Sequence, residues 1–531
     1  MRYVDRIVKT EQVKFKGLQH TIAAHDGEIY DMMNLTGDHY PVLSTRVHRC
    51  MLEHNSGAHG IYGWEKLCVV HKISFLYGGE FKGHVSIGDK VFCCLAPYII
   101  ILPDKCYYNY ETDVFGSLES EWTGQSITFS GGVAYGEEAA ANAITCDGVA
   151  WEDYFRVGDA VTISGCSKHS ENNKTPIIRG IDGDKLYFSE NCFVLDGEDG
   201  TDTYTEEGEI SIKRSIPDIE GICENENRLF GYCGNTIYAS KLGDPFNWYV
   251  YDGVDTDSWT TDVGSPGPFT GCVSYGGYPI FFKEDYIYKI YGSYPSQFSL
   301  QGSTTKGVLA GCSASLAIAG DVLFYMGVYG VMAYSGGVPR LVSEDLGVER
   351  FVNAVGGSDG IKYHICVQDP DGIWRLYVYD TRYGEWYRED DLHITHFAWL
   401  NGRLYFLTEN GDIWFNGVEG VIPEDSNDCD IPIPWMAEFA DWVDGDPNRK
   451  CISKLQIRFC LEKEATMKVM LQYDSDGEWH TVRVITGEGI KKSMYLPIIP
   501  RRCDHYRLRL EGVGECRIFS LAREYYVGSE I

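Results

Sequence analysis

Short runs of Val, Ile, Tyr, Phe and Trp alternate with Gly, Asn and Asp turns along most of the chain. This period-two pattern predicts β-strands, because almost no stretch sustains the 3.6-residue period of an amphipathic helix. One short helix is expected at residues 137–143, where the sequence reads EEAAANA. The pattern therefore predicts an all-β protein with very little helix.

A two-strand unit recurs through the middle of the chain: a strand, a tight polar turn, and a second strand with an aromatic pair. Its equivalent positions are separated by 51, 43, 40 and 41 residues. That period is typical of β-propeller blades, which bury their faces only against neighbouring blades. A pair of stacked antiparallel sandwiches is the less favoured alternative. The equivalent positions are Leu229, Ile280, Leu323, Tyr363 and Leu404.

The spacing of strands changes at both ends of this repeat and indicates four segments. Residues 1–122 are expected to form N-terminal propeller blades, and residues 216–429 the remaining blades, so that both ends of the chain close the ring. Short strands at close spacing in residues 123–215 predict an inserted small β-barrel domain, and alternating strands in residues 430–531 predict a jelly-roll-like C-terminal β-sandwich.

The charge excludes one broad class of function. A net charge of −31 argues against a protein that wraps nucleic acid through phosphate contacts. The charge is also uneven: residues 449–531 carry 15 basic and 11 acidic side chains, whereas the remainder has a net charge of −35. Opposite signs on two segments suggest a surface on which neighbouring molecules dock.

The N-terminal residues lack the apolar region of a secretory signal, so the chain is expected to be made in the cytoplasm. The longest apolar stretch, residues 93–102, is too short to span a bilayer and contains Pro97. No membrane segment is therefore expected. The 18 cysteines are expected to be reduced thiols packed as small apolar side chains.

The sequence contains few patterns typical of catalytic or metal-binding sites. Gly-x-Ser-x-Gly, Walker and His-Glu-x-x-His motifs are missing, and so is any C-x-x-C spacing, which argues against a zinc site. His393 and His396 are expected on opposite faces of a strand. The acidic stretch 196–202 has spacing that could hold Ca²⁺ but lacks the terminal Glu of an EF-hand. We expect no catalytic residue, metal or cofactor, although an enzyme is not excluded.

Residues 225–330 contain several short sequence motifs in a fixed order. Tyr238-Ala239-Ser240 precedes Gly243-Asp244-Pro245-Phe246-Asn247-Trp248, and a Tyr288-Lys289-Ile290-Tyr291-Gly292 strand follows. This order resembles the β-propeller virion proteins of tailed bacteriophages, of the tail hub, nozzle or packaged-DNA-stabilisation type. The resemblance covers about half of the chain, and its motifs are architectural.

The resemblance implies a non-enzymatic virion structural protein, made in the host bacterial cytoplasm and located in the viral tail. Copies would form a ring, expected to be a hexamer, on the DNA exit path. The ring would contact adjacent tail, adaptor or portal proteins, and it would retain and then conduct genomic DNA without sequence-specific binding. An acidic lumen would repel the phosphate backbone and let the duplex slide.

The residues expected to matter are structural. Trp248, Trp374, Trp386 and Trp414 are expected to pack between blades, and Gly243-Asp244-Pro245 to form the tight turn that aims Trp248.

Two other functions remain open at this point. One is a tail receptor or glycan-binding protein whose exposed Tyr and Trp side chains stack on sugars. The other is a propeller glycosidase or depolymerase, which needs two carboxylates about 5–10 Å apart in a central cleft.

Overall fold

The computed structural model describes residues 6–21, 24–136, 138–196, 203–347, 350–423, 426–443 and 449–527. These residues form antiparallel strands and five single-turn 3-10 helices. The chain divides into two compact units, one combining Met1–His71 with Val308–Ile531 and the other comprising Lys72–Gly307. The 3-10 helices are Trp151–Asp153, Ser170–Asn172, Pro295–Gln297, Ser313–Ser315 and Glu344–Leu346.

The N-terminal segment belongs to the first unit, and its last two strands form a hairpin. Its strands are β1 (Arg6–Gln12), β2 (Ile29–Met33), β3 (Leu35–Thr36), β4 (Leu43–Thr45), β5 (Arg49–His54), β6 (Ala58–Gly63) and β7 (Leu67–His71).

The second unit contains one hairpin, three complete four-stranded antiparallel sheets and an inserted six-stranded sheet. The hairpin is β8 (Ser74–Tyr77) and β9 (Glu80–His84), and the first four-stranded sheet is β10 (Val91–Leu95), β11 (Tyr98–Leu102), β12 (Cys106–Asn109) and β13 (Val114–Ser117).

The insert follows this sheet and has the order β16-β19-β14-β15-β18-β17. It surrounds its own apolar core, which includes Trp122, Phe129, Trp151 and Ile212. The strands of the insert are β14 (Ser120–Tyr135), β15 (Glu138–Thr145), β16 (Thr162–Ser164), β17 (Gly180–Asp182), β18 (Lys185–Phe188) and β19 (Tyr204–Arg214).

Two further four-stranded sheets complete the second unit, and the first strands of its three sheets lie side by side in chain order. The first of these sheets is β20 (Gly221–Asn225), β21 (Arg228–Cys233), β22 (Thr236–Ala239) and β23 (Trp259–Asp262), and the second is β24 (Gly271–Tyr275), β25 (Tyr278–Lys283), β26 (Tyr286–Tyr291) and β27 (Ser299–Thr304).

The first unit repeats the same arrangement three times, and the first strands of these sheets also lie side by side. In the third sheet β5 supplies the fourth strand and β39 adds to its edge. The strands are β28 (Ala317–Ala319), β29 (Val322–Gly327), β30 (Gly330–Tyr334), β31 (Arg340–Leu341), β32 (Asn353–Ser358), β33 (Lys362–Gln368), β34 (Trp374–Asp380), β35 (Glu385–Arg388), β36 (Ile394–Leu400), β37 (Arg403–Thr408), β38 (Asp412–Asn416) and β39 (Asp428–Cys429).

The remaining strands form two sheets, β3-β4-β47-β41-β44 and β2-β40-β46-β42-β43, with β1 on β47 and β45 on β41. Alternate residues of these strands are fully buried, including Leu455, Ile457, Leu508 and Leu510, as two facing sheets require. The C-terminal strands are β40 (Pro434–Phe439), β41 (Lys450–Leu461), β42 (Thr466–Tyr473), β43 (His480–Thr486), β44 (Lys491–Leu496), β45 (Arg502–Cys503), β46 (Tyr506–Val513) and β47 (Cys516–Val527).

The expected fold class is confirmed: the protein is all-β, with β-propeller blades, an inserted small β-barrel domain and a C-terminal β-sandwich. Each of the five repeat units found in the sequence is a hairpin that forms the second and third strands of a blade. No helix in the described part of the chain has the length and apolar character needed to cross a membrane.

Two expectations about local structure differ from what the structure contains. Residues 6–45, expected in blades, instead supply β1 to β4 to the sheets of the sandwich. The helix expected at 137–143 was also wrong: residue 137 lies outside the described residues, and Glu138–Thr145 is strand β15. Pairing of β15 with both β14 and β18, together with complete burial of Ala141 and Ala143, outweighs the high intrinsic helix propensity of the Ala and Glu residues in this segment.

Candidate functional site: the joint between the insert and the blades

The segment from Gly243 to Trp248 forms a turn held by its own side chains. Gly243 has a φ of +68°, which glycine adopts at no steric cost. The carboxylate of Asp244 accepts hydrogen bonds from the Phe246 backbone N–H at 2.9 Å and from Asn247 Nδ2 at 2.8 Å. The Trp248 indole N–H donates to the Pro245 carbonyl at 3.0 Å. The turn thereby fixes the directions of Phe246, Asn247 and Trp248.

Asn247 connects this turn to the insert. Its Nδ2 donates to Asp159 Oδ1 at 3.0 Å, and its Oδ1 accepts from the Ala160 backbone N–H at 3.0 Å. Asn247 and Asp159 are only 3% and 2% exposed, so water does not compete for these bonds. The amide therefore joins the blade loop to the insert with two buried hydrogen bonds.

Asp159 is also the acceptor of a buried ion pair. Arg214 Nη1, at the end of β19, lies 2.6 Å from Asp159 Oδ2, and the two side chains are 6% and 3% exposed. Asp159 Oδ2 also accepts from the Arg156 backbone N–H at 2.9 Å. Because every carboxylate oxygen has a partner, the buried charge is compensated, which is the condition under which such a pair is tolerated.

Phe246 lies between two guanidinium groups of the insert. The Arg156 and Arg214 guanidinium carbons lie 4.5 and 5.2 Å from its ring centroid, within the range of cation–π attraction. Tyr98 and Tyr107 of the neighbouring blade meet the same ring edge-on, at 5.3 and 5.0 Å between centroids. One aromatic ring thus contacts both the insert and a blade.

Trp248 completes the joint with apolar burial. It is 1% exposed and belongs to one core cluster with Phe246, Leu118, Leu229 and Ile100. These residues come from the blade β10–β13, the link to the insert, and the blade β20–β23. The joint is therefore both packed and hydrogen-bonded.

The other predicted tryptophans lie in the first unit. Trp386 is fully buried, and its indole N–H donates to the Val342 carbonyl at 2.6 Å. Trp374 is partly exposed and stacks on His393 at 3.9 Å, while Trp414 is partly buried against the cluster that contains Cys366, Leu376, Ile394 and Phe406. The structure does not bring these three side chains to the joint around Trp248.

Most of the acidic stretch 196–202 lies outside the described residues. Asp196 is described, and its carboxylate contacts Lys168 Nζ and, at 3.0 Å, His169 Nε2. These two contacts lower the pKa of Asp196, with the Lys168 bond as the larger cause. Asp196 is thus already paired with Lys168 and His169 of the insert.

One surface cluster has the same order of side-chain contacts as a Ser-His-Asp triad. Ser475 Oγ lies 2.7 Å from His505 Nε2, and His505 Nδ1 contacts the Asp504 carboxylate. The Asp504 side chain is 56% exposed, so solvent competes for the bond that would orient the imidazole, unlike the buried acid of a Ser-His-Asp triad. The geometry gives a hydrogen-bonded turn in the sandwich and no sheltered reaction site.

Sequence reasoning identified the turn but missed its partners. Asp159 and Arg214 belong to the insert, and nothing in their local sequence distinguishes them from surface charges. Only the approach of β19 to the loop after Phe155 brings them together with Asn247. A signal that could have found them is the position of Arg214 at the point where the insert returns to the blades.

Comparisons with known proteins give distant structural likeness only. No protein-family profile matches the sequence, and no curated protein matches it. Among solved structures, the chain is similar to BamB from Moraxella catarrhalis, with 11% identity, a TM-score of 0.34, and coverage of 72% of this chain and 99% of that one.

Two further structures show the same level of likeness. Raptor from Chaetomium thermophilum has 11% identity and a TM-score of 0.32, with coverage of 71% of this chain and 29% of that one. KlHsv2 with loop 6CD replaced by a Gly-Ser linker has 11% identity and a TM-score of 0.29, with coverage of 67% and 90%.

Proposed function

We propose that this protein is a non-enzymatic structural component of a phage virion. Copies of it form an oligomeric ring of the tail, of the hub or nozzle type, on the path by which DNA leaves the particle. The ring retains the genome and then conducts it, and it contacts adjacent tail, adaptor or portal proteins. The chain is made in the host bacterial cytoplasm and incorporated into the tail.

The observation that supports this proposal most is the joint around Asn247 and Asp159. The segment from Gly243 to Trp248 is the part of the sequence that resembles phage propeller proteins, and it holds the insert through the buried hydrogen bonds of Asn247 with Asp159 and Ala160. A rigidly attached second domain suits a component that transmits force between neighbours. A binding module that samples orientations would instead favour a flexible link.

The charge supports the conduit role. Outside residues 449–531 the chain carries a net charge of −35. A surface of this sign repels phosphate, so a duplex passing it would meet no sequence-independent electrostatic trap. The more basic C-terminal segment offers a complementary surface for a neighbouring subunit or tail protein.

Electron cryomicroscopy of native particles that contain this chain tests the proposal. We expect density for the chain as a closed ring of about six copies on the tail axis. Peripheral copies at the tail tip would contradict the ring and favour the receptor or glycan-binding function. Its absence from purified particles would contradict a virion role and leave the glycosidase or depolymerase function to be assayed on host polysaccharide.

A further inference from the structure

The strand that completes the last blade of the first unit brings three side chains of metal-binding type together, one histidine and two cysteines. β5 pairs with β38 on one edge and with β39 on the other. His48, directly before β5, and Cys50 within it are two residues apart and so project from the same face. Cys429 of β39 is the direct cross-strand partner of Cys50, which places its side chain on that face too.

The ligand atoms of these residues converge. One His48 ring nitrogen and the Sγ atoms of Cys50 and Cys429 all lie within 4.8 Å of one another. Zn²⁺ in a tetrahedral site binds thiolate sulfur at about 2.3 Å and imidazole nitrogen at about 2.0 Å. Three ligands at such distances from one ion have mutual separations below this limit, so the cluster needs little movement to bind it.

The surroundings of the cluster orient its members. His48 Nε2 lies 3.0 Å from the Val421 carbonyl, and because a carbonyl only accepts, Nε2 carries the proton in this contact. The lone pair is then on Nδ1, and a hydrogen bond of this kind commonly fixes a metal-binding histidine. A Cβ at Gly417 would lie 2.7 Å from Nε2, so this glycine makes room for the ring.

The two cysteines supply sulfur ligands, which Zn²⁺ binds as thiolates. Cys50 is fully buried, and the Cys429 thiol donates to the Ser426 hydroxyl at 3.8 Å, while that hydroxyl donates to the Pro423 carbonyl at 2.7 Å. A bound cation would replace the protons of the two thiols.

We propose that His48, Cys50 and Cys429 bind one Zn²⁺ ion that ties β39 to β5 at the edge of the last blade. His48 also lines a cavity of about 570 Å³, which gives its imidazole access to solvent, and a water molecule would be the fourth ligand. The ion fastens the edge strand β39 to β5, which completes the last blade. Sequence patterns did not indicate this site, because its ligands come from two distant segments and lack C-x-x-C spacing.

The test is zinc binding by the purified full-length chain under reducing conditions. We expect one bound Zn²⁺ per chain by elemental analysis, a higher unfolding temperature with Zn²⁺ than after chelation, and thiolate-to-metal absorption when Co²⁺ replaces Zn²⁺. His48→Gln and Cys429→Ser alter partly exposed residues and should weaken binding on the order of 100-fold or more. Binding should also weaken as the pH falls, because protons compete for the thiolates.

Cys272→Ser is the matched control, since the Cys272 thiol is hydrogen-bonded to Cys223 in a cysteine pair outside the proposed site. This variant should keep the zinc stoichiometry, the stabilisation by Zn²⁺ and the Co²⁺ spectrum of the wild type. The proposal fails if the wild type binds no Zn²⁺, if both site variants bind as the wild type does, or if peptide mapping of the native protein finds a Cys50–Cys429 disulfide.

Discussion

Individual buried side chains carry the stability of the joint, and Trp248 is the largest of them. Truncation of Trp248 to Ala removes a fully buried indole and leaves a cavity beneath Phe246 and Leu229. We expect the free energy of unfolding to fall by about 3–5 kcal/mol, measured by chemical denaturation. Trp399→Ala is the control, because Trp399 is 45% exposed and should change stability by no more than about 0.5 kcal/mol. Equal, small losses in the two variants would show that Trp248 does not hold the core.

A second residue-scale prediction concerns Glu389 in the first unit. Burial by itself would raise the pKa of Glu389, but the Arg49 guanidinium that contacts it, with help from Arg46, lowers that pKa to about 2. Unfolded glutamate titrates near pH 4.3. The stabilisation from this carboxylate is therefore fully present above about pH 5 and is lost as the pH falls towards 2.

The measurable consequence is an acid-dependent stability of about 3 kcal/mol associated with this group. Glu389→Gln should flatten the fall in unfolding free energy between about pH 5 and 2. Glu409→Gln, which removes a 69% exposed carboxylate paired with His393, should leave the acid dependence unchanged. An identical pH profile for wild type and Glu389→Gln would contradict the assignment.

At the scale of elements, the pairing of Asp159 with Arg214 within the insert holds the Asp159 carboxylate in place for its hydrogen bond with Asn247 of the blade loop. Asp159→Asn leaves the buried guanidinium of Arg214 without its counter-charge, which should cost about 3–5 kcal/mol. The matched surface variant is Asp252→Asn, whose pair with Arg179 is 25–38% exposed and should cost no more than about 1 kcal/mol. Chemical denaturation and limited proteolysis of the insert measure both effects.

A double replacement separates the charge from the packing of the joint. Asp159→Leu with Arg214→Met removes both charges together, and such a pair exchanged for apolar side chains is often neutral in stability. We expect the double variant to be more stable than Asp159→Asn alone. A double variant as unstable as the single one would mean that the Asn247 hydrogen bond to Asp159, and not the ion pair, dominates the joint.

At the scale of elements, local sequence predicts strands that pair within a hairpin but not strands that pair over long sequence distances. Alternation and turn residues identified the blade hairpins, such as Arg228–Cys233 with Thr236–Ala239, because both strands and their turn are local. They could not identify the partners of β1 to β4, because an alternating strand looks the same in a blade and in a sandwich. They also misread β15, because alanines that suit a helix equally suit a crowded position between two strands.

The candidate sites show the same limit. The turn from Gly243 to Trp248 was readable because its hydrogen bonds are local. Asp159 and Arg214, like Cys50 and Cys429, come together only through strand pairing over long sequence distances. A period-two pattern gives the face on which a side chain lies, but it contains no information about which strand lies beside it.

At the scale of the whole molecule, the net charge of −31 makes a prediction that is independent of any particle. The conduit role requires the duplex to slide past without adhering to the surface, so the purified chain should leave duplex DNA unbound in a fluorescence anisotropy titration even at about 50 mM salt, where phosphate contacts are strongest. A basic DNA-binding protein at the same concentration serves as the positive control. A binding constant whose logarithm falls linearly with the logarithm of salt concentration would show that basic side chains contact the DNA phosphates. The chain would then hold DNA at the point where the proposal requires DNA to pass.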